Sequence, residues 1–88
     1  MMVHDLKIKP RFYEDVLSGR KQFELRRDDR GFCVGDKVCL REWNEDVGDY
    51  TGRSVTMQII YILRDVPEYG LMEGYCIFGF KEVGNNND

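Results

Sequence analysis

A helix end and a charged strand meet in the stretch Gly19-Arg20-Lys21-Gln22-Phe23-Glu24-Leu25-Arg26. Gly19 is typical of the position just after a helix, where a positive φ ends the helix without a Cβ clash. In the strand that follows, side chains alternate between the two faces. Phe23 and Leu25 therefore share one face, and the polar residues of the stretch share the other. We predict an apolar anchor on the first face and a charged cluster on the second.

The charged cluster consists of Lys21 at the start of the strand and of Glu24 and Arg26 on its polar face. Two interpretations are open. Mixed charge on a strand is usually a solvated surface, and exposed ion pairs contribute only about 0–1 kcal/mol to stability. If the three side chains instead surround a concave surface, they form a binding site, with Lys21 close enough to Glu24 for an ion pair.

Alternating apolar residues and turn residues predict one helix and about five strands. The helix is expected over residues 10–18, since Pro10 suits a first helical turn and Gly19 a helix end. Strands are expected over residues 3–9, 21–27, 37–43, 55–64 and 74–83. These elements indicate an α+β fold in a single domain spanning residues 1–83, with residues 84–88 as a disordered tail.

The longest predicted strand has one consistently apolar face, which carries Val55, Met57, Ile59, Tyr61 and Leu63. The opposite face changes from polar to apolar along its length, as expected where a strand bends around a barrel. The residues before this strand, 44–52, form a polar loop by composition.

The net charge of −3 is unevenly distributed. Residues 1–41 contain ten Lys and Arg against seven Asp and Glu, whereas residues 42–88 contain three against nine. Domains that follow a nucleic-acid backbone by charge alone are usually strongly basic, so the acidic total argues against that class. The composition still leaves room for a local basic cleft on the N-terminal half.

The sequence shows no signal for a metal, a membrane or export. Cys33, Cys39 and Cys76 form no C-x-x-C pair, and His4 is the single histidine, so a zinc site is not expected. No apolar run approaches the roughly 20 residues that cross a bilayer. No leader pattern is found at the N-terminus. We expect a cytoplasmic protein without a metal or cofactor.

Gly19, Lys21 and Glu24 stand in the glycine-x-lysine-x-x-glutamate spacing of the ASCH domain, a member of the PUA-like superfamily, which this chain resembles. Further matches at residues 4–8, 32–36 and 50–53 extend the resemblance over most of residues 4–82 and point to a small ASCH-like subfamily. The resemblance implies a small mixed β-barrel of about five strands, capped by the helix, with a cleft between the barrel and the helix. Lys21, Glu24 and Arg26 would line this cleft, and Gly19 would aim them.

The resemblance further implies that the cleft recognises RNA or a nucleotide. Lys21 and Arg26 can each bind a phosphate, and Arg can do so with two parallel hydrogen bonds. Glu24 can accept a hydrogen bond from the amino group of a base. Trp43, at the end of a strand beside a polar loop, is a candidate for stacking on an unpaired base, although a partly buried position at the barrel rim would also explain it.

Two other functions are open. Some ASCH proteins that resemble this chain are amidohydrolases of acylated cytidine, in which a threonine stands in place of Glu24. A carboxylate does not replace an activated hydroxyl, and nothing in the spacing of Thr51 and Thr56 ties them to Lys21. We therefore expect a binding protein without catalytic residues, and we keep the amidohydrolase as an alternative. A protein-interaction module is the third interpretation.

Overall fold

A mixed sheet of five strands, curled into a half-barrel, forms the body of the protein in the computed structural model, which describes residues 1–83. One helix packs against this sheet. The elements in chain order are β1 (Val3–Ile8), α1 (Pro10–Leu17), β2 (Phe23–Arg27), β3 (Lys37–Asn44), β4 (Asp49–Arg64), a 3₁₀ turn (Pro67–Tyr69) and β5 (Tyr75–Glu82). The tail predicted at residues 84–88 lies outside the described residues.

The strand order is β1-β3-β4-β5-β2, with β1 parallel to β3 and the other neighbouring pairs antiparallel. The predicted α+β class, with five strands and one main helix, is confirmed. The half-barrel is compatible with a PUA-like domain, but the barrel is not closed. Strands β1 and β2 are the two edges of the sheet, and within residues 1–83 no strand pairing joins them. We call the opening between these two edges the seam.

Helix α1 covers part of the concave face of the sheet. Pro10 lies in its first turn, as predicted, and Gly19 follows its end with a φ of 84°. The apolar side of the helix buries Tyr13 and Val16, and the helix contacts β3. Phe32, from the segment between β2 and β3, also lies in the core. The sheet contributes the other core residues, from alternate positions of β1, β3, β4 and β5: Leu6, Ile8, Val38, Leu40, Met57, Ile59, Cys76, Phe78 and Phe80.

A β-bulge in β4 changes which side chains face this core. The register with β5 shifts between Ile59 and Tyr61, so Ile60 is an extra residue on one strand. Ile59 is buried, whereas Tyr61 is 64% exposed, and the prediction that both belong to one apolar face is wrong. An unpaired residue reverses the alternation beyond it, which explains the error. The strand also begins earlier than predicted, because its hairpin with β3 extends to the pair Asn44 and Asp49.

No helix within residues 1–83 has the length and apolar character that crossing a bilayer requires.

Candidate functional site

Glu24 and Arg26 of β2 face the inside of the half-barrel, and the apolar residues of the strand face out. Glu24 is only 6% exposed and lies opposite Phe78 of β5, whereas Phe23 and Leu25 are about half exposed. The predicted apolar anchor, Phe23 and Leu25, therefore lies on the outer face, and the predicted charged cluster lies on the inner one. The inversion is physically possible because two cations meet the buried Glu24 carboxylate, and a buried charge is tolerated when it is paired and hydrogen-bonded.

The Glu24 carboxylate lies between Lys21 and Arg26. Lys21 Nζ donates a short hydrogen bond to Oε1 of Glu24 and a second one, of 2.8 Å, to the Phe23 carbonyl. Arg26 Nη2 donates to the other oxygen, Oε2, at 3.1 Å. The structure thus brings the three predicted residues together, with Lys21 and Glu24 paired. The pairing leaves the cluster with one unit of excess positive charge.

Two arginines reach across the seam to the free edge of β1. Arg26 Nη2 donates to the Lys7 carbonyl at 2.5 Å, and Arg30 Nη1 donates to the Asp5 carbonyl at 2.7 Å. In a strand, residues two apart direct their backbone groups to the same edge. The two guanidinium groups therefore bind neighbouring acceptors that a further strand would otherwise use, which protects an exposed sheet edge.

A cleft of about 300 Å³ lies at the seam, between the end of β1, the start of α1 and strand β2. We call it the seam cleft. Its charged and aromatic lining consists of Lys7, Lys9, Arg26, Arg27 and Glu24, with Phe12 and Tyr75 as the rings. Four basic residues against one carboxylate make the seam cleft suited to an anion, and the two rings offer flat apolar contact.

Lys21 does not line the seam cleft. It lies on the other side of Glu24, in an adjoining open recess that also contains Phe12, Arg20 and Phe23. The turn before it sets this position, because the backbone N–H groups of Arg20 and Lys21 both donate to the Asp15 carbonyl, at 3.0 and 2.9 Å. The left-handed φ of Gly19 allows the chain to make that turn.

Trp43 lies away from the charged cluster, on the convex face of β3. Its ring meets Tyr50 of β4 edge-on, with 4.9 Å between ring centroids. Lys7 Nζ lies 3.9 Å from the centre of the Trp43 ring. Trp43 therefore does not join Lys21, Glu24 and Arg26, and the predicted stacking residue belongs to a different surface.

A second buried carboxylate, Glu42 of β3, forms a separate network. Arg53 donates to both of its oxygens at 2.9 Å, and the Thr51 hydroxyl donates to Oε1 at 2.6 Å. These bonds, from Arg53 first and then Thr51, hold the pKa of Glu42 below its usual value. Arg53 also binds Glu14 of α1, so the network ties the helix to the sheet. Thr51 is thus committed to Glu42 and not to Lys21.

His4 and Asp36 form a buried pair at the opposite end of β1. His4 Nε2 lies 2.9 Å from Asp36 Oδ2, and the backbone N–H groups of Met2 and Cys33 each donate to the carboxylate at 3.0 Å. The bond to His4, followed by that from Met2, holds the pKa of Asp36 below its usual value. This pair joins β1 to the segment before β3. Within residues 1–83, no group of three His, Cys, Asp or Glu side chains is placed to hold a metal ion.

An apolar recess of about 410 Å³ lies on the convex face, beneath the loop between β4 and β5. We call it the apolar recess. Leu25 of β2, Leu63 of β4 and Ile77 of β5 form its floor, and the loop contributes Tyr69 and Met72. Leu25, one of the two residues of the predicted apolar anchor, is thus part of this surface.

Sequence reasoning did not place Lys7, Lys9, Phe12, Arg27 and Tyr75 at the site. Each belongs to a different segment from the charged cluster, or to the opposite face of its own strand. The strand order brings them together, because it makes β1 and β2 the two edges that approach each other. The alternating lysines of β1 are a sequence signal for an exposed strand face, but nothing in them indicates what lies opposite.

Comparison with known proteins gives two matches. The sequence matches the family described as "Domain of unknown function (DUF3850)" over residues 3–80, which includes the charged cluster and every strand except the end of β5. Over 57 residues, or 65% of this chain, it is 37% identical to an Escherichia phage P2 protein described as "Uncharacterized 12.9 kDa protein in GpA 3'region". The chain spans about half the length of that relative, since the match covers 50% of it. The family match covers most of the sequence, and the chain therefore belongs to the DUF3850 family.

Proposed function

We propose that this protein binds RNA or a nucleotide in the seam cleft. The observation that carries the proposal is the composition of the cleft, in which the cationic residues Lys9, Arg26 and Arg27 and two aromatic rings lie around a single, already paired carboxylate. A nucleotide combines a phosphate with a flat base, so it matches both features. The resemblance to the ASCH domain in residues 19–26 supports the same function.

Each charged residue has a distinct part in this proposal. Arg26 is held by Glu24 and by the Lys7 carbonyl, so its guanidinium has a fixed position from which to bind a phosphate. Arg27 and Lys9 add charge at the mouth of the cleft. A carboxylate offers about four acceptor sites, and Lys21 and Arg26 together use two of those on Glu24. The remaining sites can accept hydrogen bonds from the amino group of a base.

The test is a titration of the isotope-labelled protein with nucleoside monophosphates and with short single-stranded RNA and DNA. We expect amide shifts to concentrate in residues 7–12 and 19–27. Arg26→Ala should weaken binding roughly tenfold or more, since a charge-assisted hydrogen bond is lost. Lys81→Ala is the matched control, because it removes one positive charge from an exposed site on β5 and should leave the affinity unchanged. Failure of every nucleotide, RNA and DNA to bind would refute the proposal.

The amidohydrolase alternative gains no support from the surroundings of Lys21. Within residues 1–83, its ammonium group donates hydrogen bonds to the Phe23 carbonyl and to the Glu24 carboxylate. Neither acceptor is a hydroxyl or thiol that could act as the nucleophile. Deacylation of an acylated cytidine by the wild type, abolished by Lys21→Ala, would replace the binding proposal with an enzymatic one.

A specific observation favours protein interaction as a second function of a different surface. In the apolar recess, Tyr69 is 82% exposed and Met72 is 64% exposed, and both line it together with the half-exposed Leu25. Contiguous exposed apolar groups of this kind are typical of contact surfaces between proteins. A change from monomer to dimer that is prevented by Leu25→Asp, measured by sedimentation, would show that the recess is such a surface.

A further inference from the structure

We propose that the convex face of β1, β3 and β4 carries a second contact surface for single-stranded nucleic acid, built by Lys7, Arg41, Trp43 and Tyr50. We call these four residues the outer patch. The inference rests on the proposed function, since it treats the outer patch as the path taken by a strand that leaves the seam cleft. It differs from that function in every residue except Lys7, in its face of the sheet and in the length of the ligand.

The strand register assembles the outer patch from neighbouring positions. Lys7 of β1 pairs with Arg41 of β3, and Trp43 of β3 pairs with Tyr50 of β4. Each cation lies on a ring: Lys7 Nζ is 3.9 Å from the Trp43 centroid, and the Arg41 guanidinium carbon is 3.8 Å from the Tyr50 centroid. Cations and aromatic rings therefore alternate over the surface, as in proteins that stack successive bases while binding the phosphates between them.

Within residues 1–83, the two cations of the outer patch have no acidic partner. In the described part of the chain, neither Lys7 nor Arg41 forms an ion pair, whereas Lys21, Arg26 and Arg53 each pair with a glutamate. A phosphate binds an arginine or lysine through charge-assisted hydrogen bonds, which are stronger than the contact with a ring face. When a phosphate draws the cation away, the ring face becomes available to a base. An acidic peptide would satisfy the cations but not the rings, which is why a nucleic acid is the better occupant.

Lys7 connects the outer patch to the seam cleft. Its carbonyl accepts the hydrogen bond from Arg26 at the seam, and its ammonium group lies over Trp43 on the convex face. A strand with one nucleotide in the seam cleft thus reaches Trp43 by crossing a single β-strand. Lys9, which also lines the cleft, is 3.6 Å from Glu45, so the acidic hairpin turn bounds the patch on one side.

The chain contains one tryptophan, which makes Trp43 a specific fluorescent reporter of the outer patch. The probes are uridine monophosphate and single-stranded oligouridylates of about ten nucleotides, in ribose and deoxyribose forms. We expect the oligonucleotides to quench Trp43 emission and the mononucleotide to bind without quenching. Preference for the ribose form would identify RNA, and equal quenching would identify single strands of either sugar, both in agreement with the proposal.

Four variants complete the test, with anisotropy of a labelled oligonucleotide as the readout. Arg41→Ala and Tyr50→Ala should each weaken oligonucleotide binding about fivefold or more and leave uridine monophosphate binding unchanged. Lys7→Ala should weaken oligonucleotide binding to a similar extent, but it is not used to separate the two ligands, because Lys7 also lines the seam cleft. Lys81→Ala, the charge-matched control on β5, should have no effect. If the oligonucleotide binds and responds to Arg26→Ala, yet neither quenches Trp43 nor responds to Lys7→Ala and Arg41→Ala, the outer patch is refuted and the seam cleft stands. If neither the mononucleotide nor the oligonucleotide binds, both proposals fail.

Discussion

Arg26 donates a hydrogen bond of 2.5 Å across the seam to the Lys7 carbonyl, while the same Nη2 atom lies 3.1 Å from a carboxylate oxygen of Glu24. One guanidinium therefore connects the two edges of the sheet and balances a buried charge. In a closed barrel, backbone hydrogen bonds between strands would connect the two edges. In this protein the Arg26 side chain connects β1 to β2, next to the seam cleft.

Replacement of Arg26 by Ala should destabilise the protein as well as weaken ligand binding. The change leaves Glu24 with one cationic partner and the Lys7 carbonyl without its donor, so we expect a loss of about 1–3 kcal/mol in the free energy of unfolding. Arg26→Lys should recover only part of it, because an ammonium group on a flexible stem lacks the planar guanidinium that directs both Nη2 bonds. Urea unfolding measures the effect. Arg27→Ala, an exposed neighbour, is the control, and an equal loss there would argue against a special role for Arg26.

Replacement of Glu24 by Gln should change which bases are preferred. The neutral amide keeps the shape of the side chain but offers fewer acceptor sites to an amino group, and it leaves the Lys21 and Arg26 charges uncompensated. We expect affinity for cytidine and adenosine monophosphates to fall relative to that for uridine monophosphate. Titration calorimetry with the three nucleotides measures the ratio. Glu68→Gln, in the exposed 3₁₀ turn, should leave the ratio unchanged. An unchanged ratio in Glu24→Gln would mean that Glu24 does not contact the base.

Binding of single-stranded RNA should weaken as salt increases. Each neutralised phosphate of a single strand contributes a slope of about −0.7 to the logarithm of the affinity against the logarithm of salt concentration. Arg26→Ala should therefore reduce the slope by about 0.7. Anisotropy titrations at several salt concentrations give both slopes. Identical slopes in the two proteins would show that Arg26 does not contact a phosphate.

Stability should fall in acid through Asp36. Its pKa in the folded protein lies below the reference value of 3.8, so the folded state favours the ionised carboxylate. The resulting stabilisation is complete above the unfolded pKa and is lost as the pH falls through the folded pKa. Asp36→Asn should thus be less stable near neutral pH and should depend less on pH below about pH 5. Urea unfolding across this range, with the exposed Asp46→Asn as control, measures the difference. Parallel curves for the wild type and Asp36→Asn would contradict the assignment.

Replacement of Gly19 by Ala should cost about 1–2 kcal/mol of stability, since a residue with a Cβ is strained at a φ of 84°. No atom lies within 4 Å of the position that the Cβ would take, so the cost is one of backbone conformation and not of collision. Gly79→Ala is the control. Its φ is not in the left-handed region, and a Cβ there would meet only the Gln22 carbonyl at an ordinary 3.8 Å. Equal destabilisation in the two variants would show that the turn does not require glycine.

The sequence was sufficient to predict the helix and the strands, but not that the sheet stays open as a half-barrel. Pro10 and Gly19 mark the helix correctly, since both act through local backbone geometry. The open seam is set by strand order, which depends on contacts between distant segments. The charged cluster was predicted because its members are close in sequence, whereas Lys7 and Tyr75 join it through pairing of β1 with β3 and of β5 with β2.

Two errors in the predicted strand faces have different physical causes. The inward face of β2 carries Glu24 instead of Phe23, because Lys21 and Arg26 pair with the buried carboxylate. A hydrophobicity pattern does not include such pairing. The inward face of β4 changes at Ile60, because a bulge breaks the two-residue period on which the prediction relies.

The absence of a strand ladder across the seam also has a mechanical consequence. Within residues 1–83, Arg26 of β2 and Arg30 of the segment after β2 bind β1 there through side-chain hydrogen bonds, whereas backbone ladders join every neighbouring pair of strands in the sheet. Rotation about side-chain bonds can widen this gap without breaking a single backbone ladder bond. We therefore expect the half-barrel to yield most easily at the seam. Widening the cleft there requires the loss of the Arg26 and Arg30 hydrogen bonds to β1 and not the slower opening of a sheet.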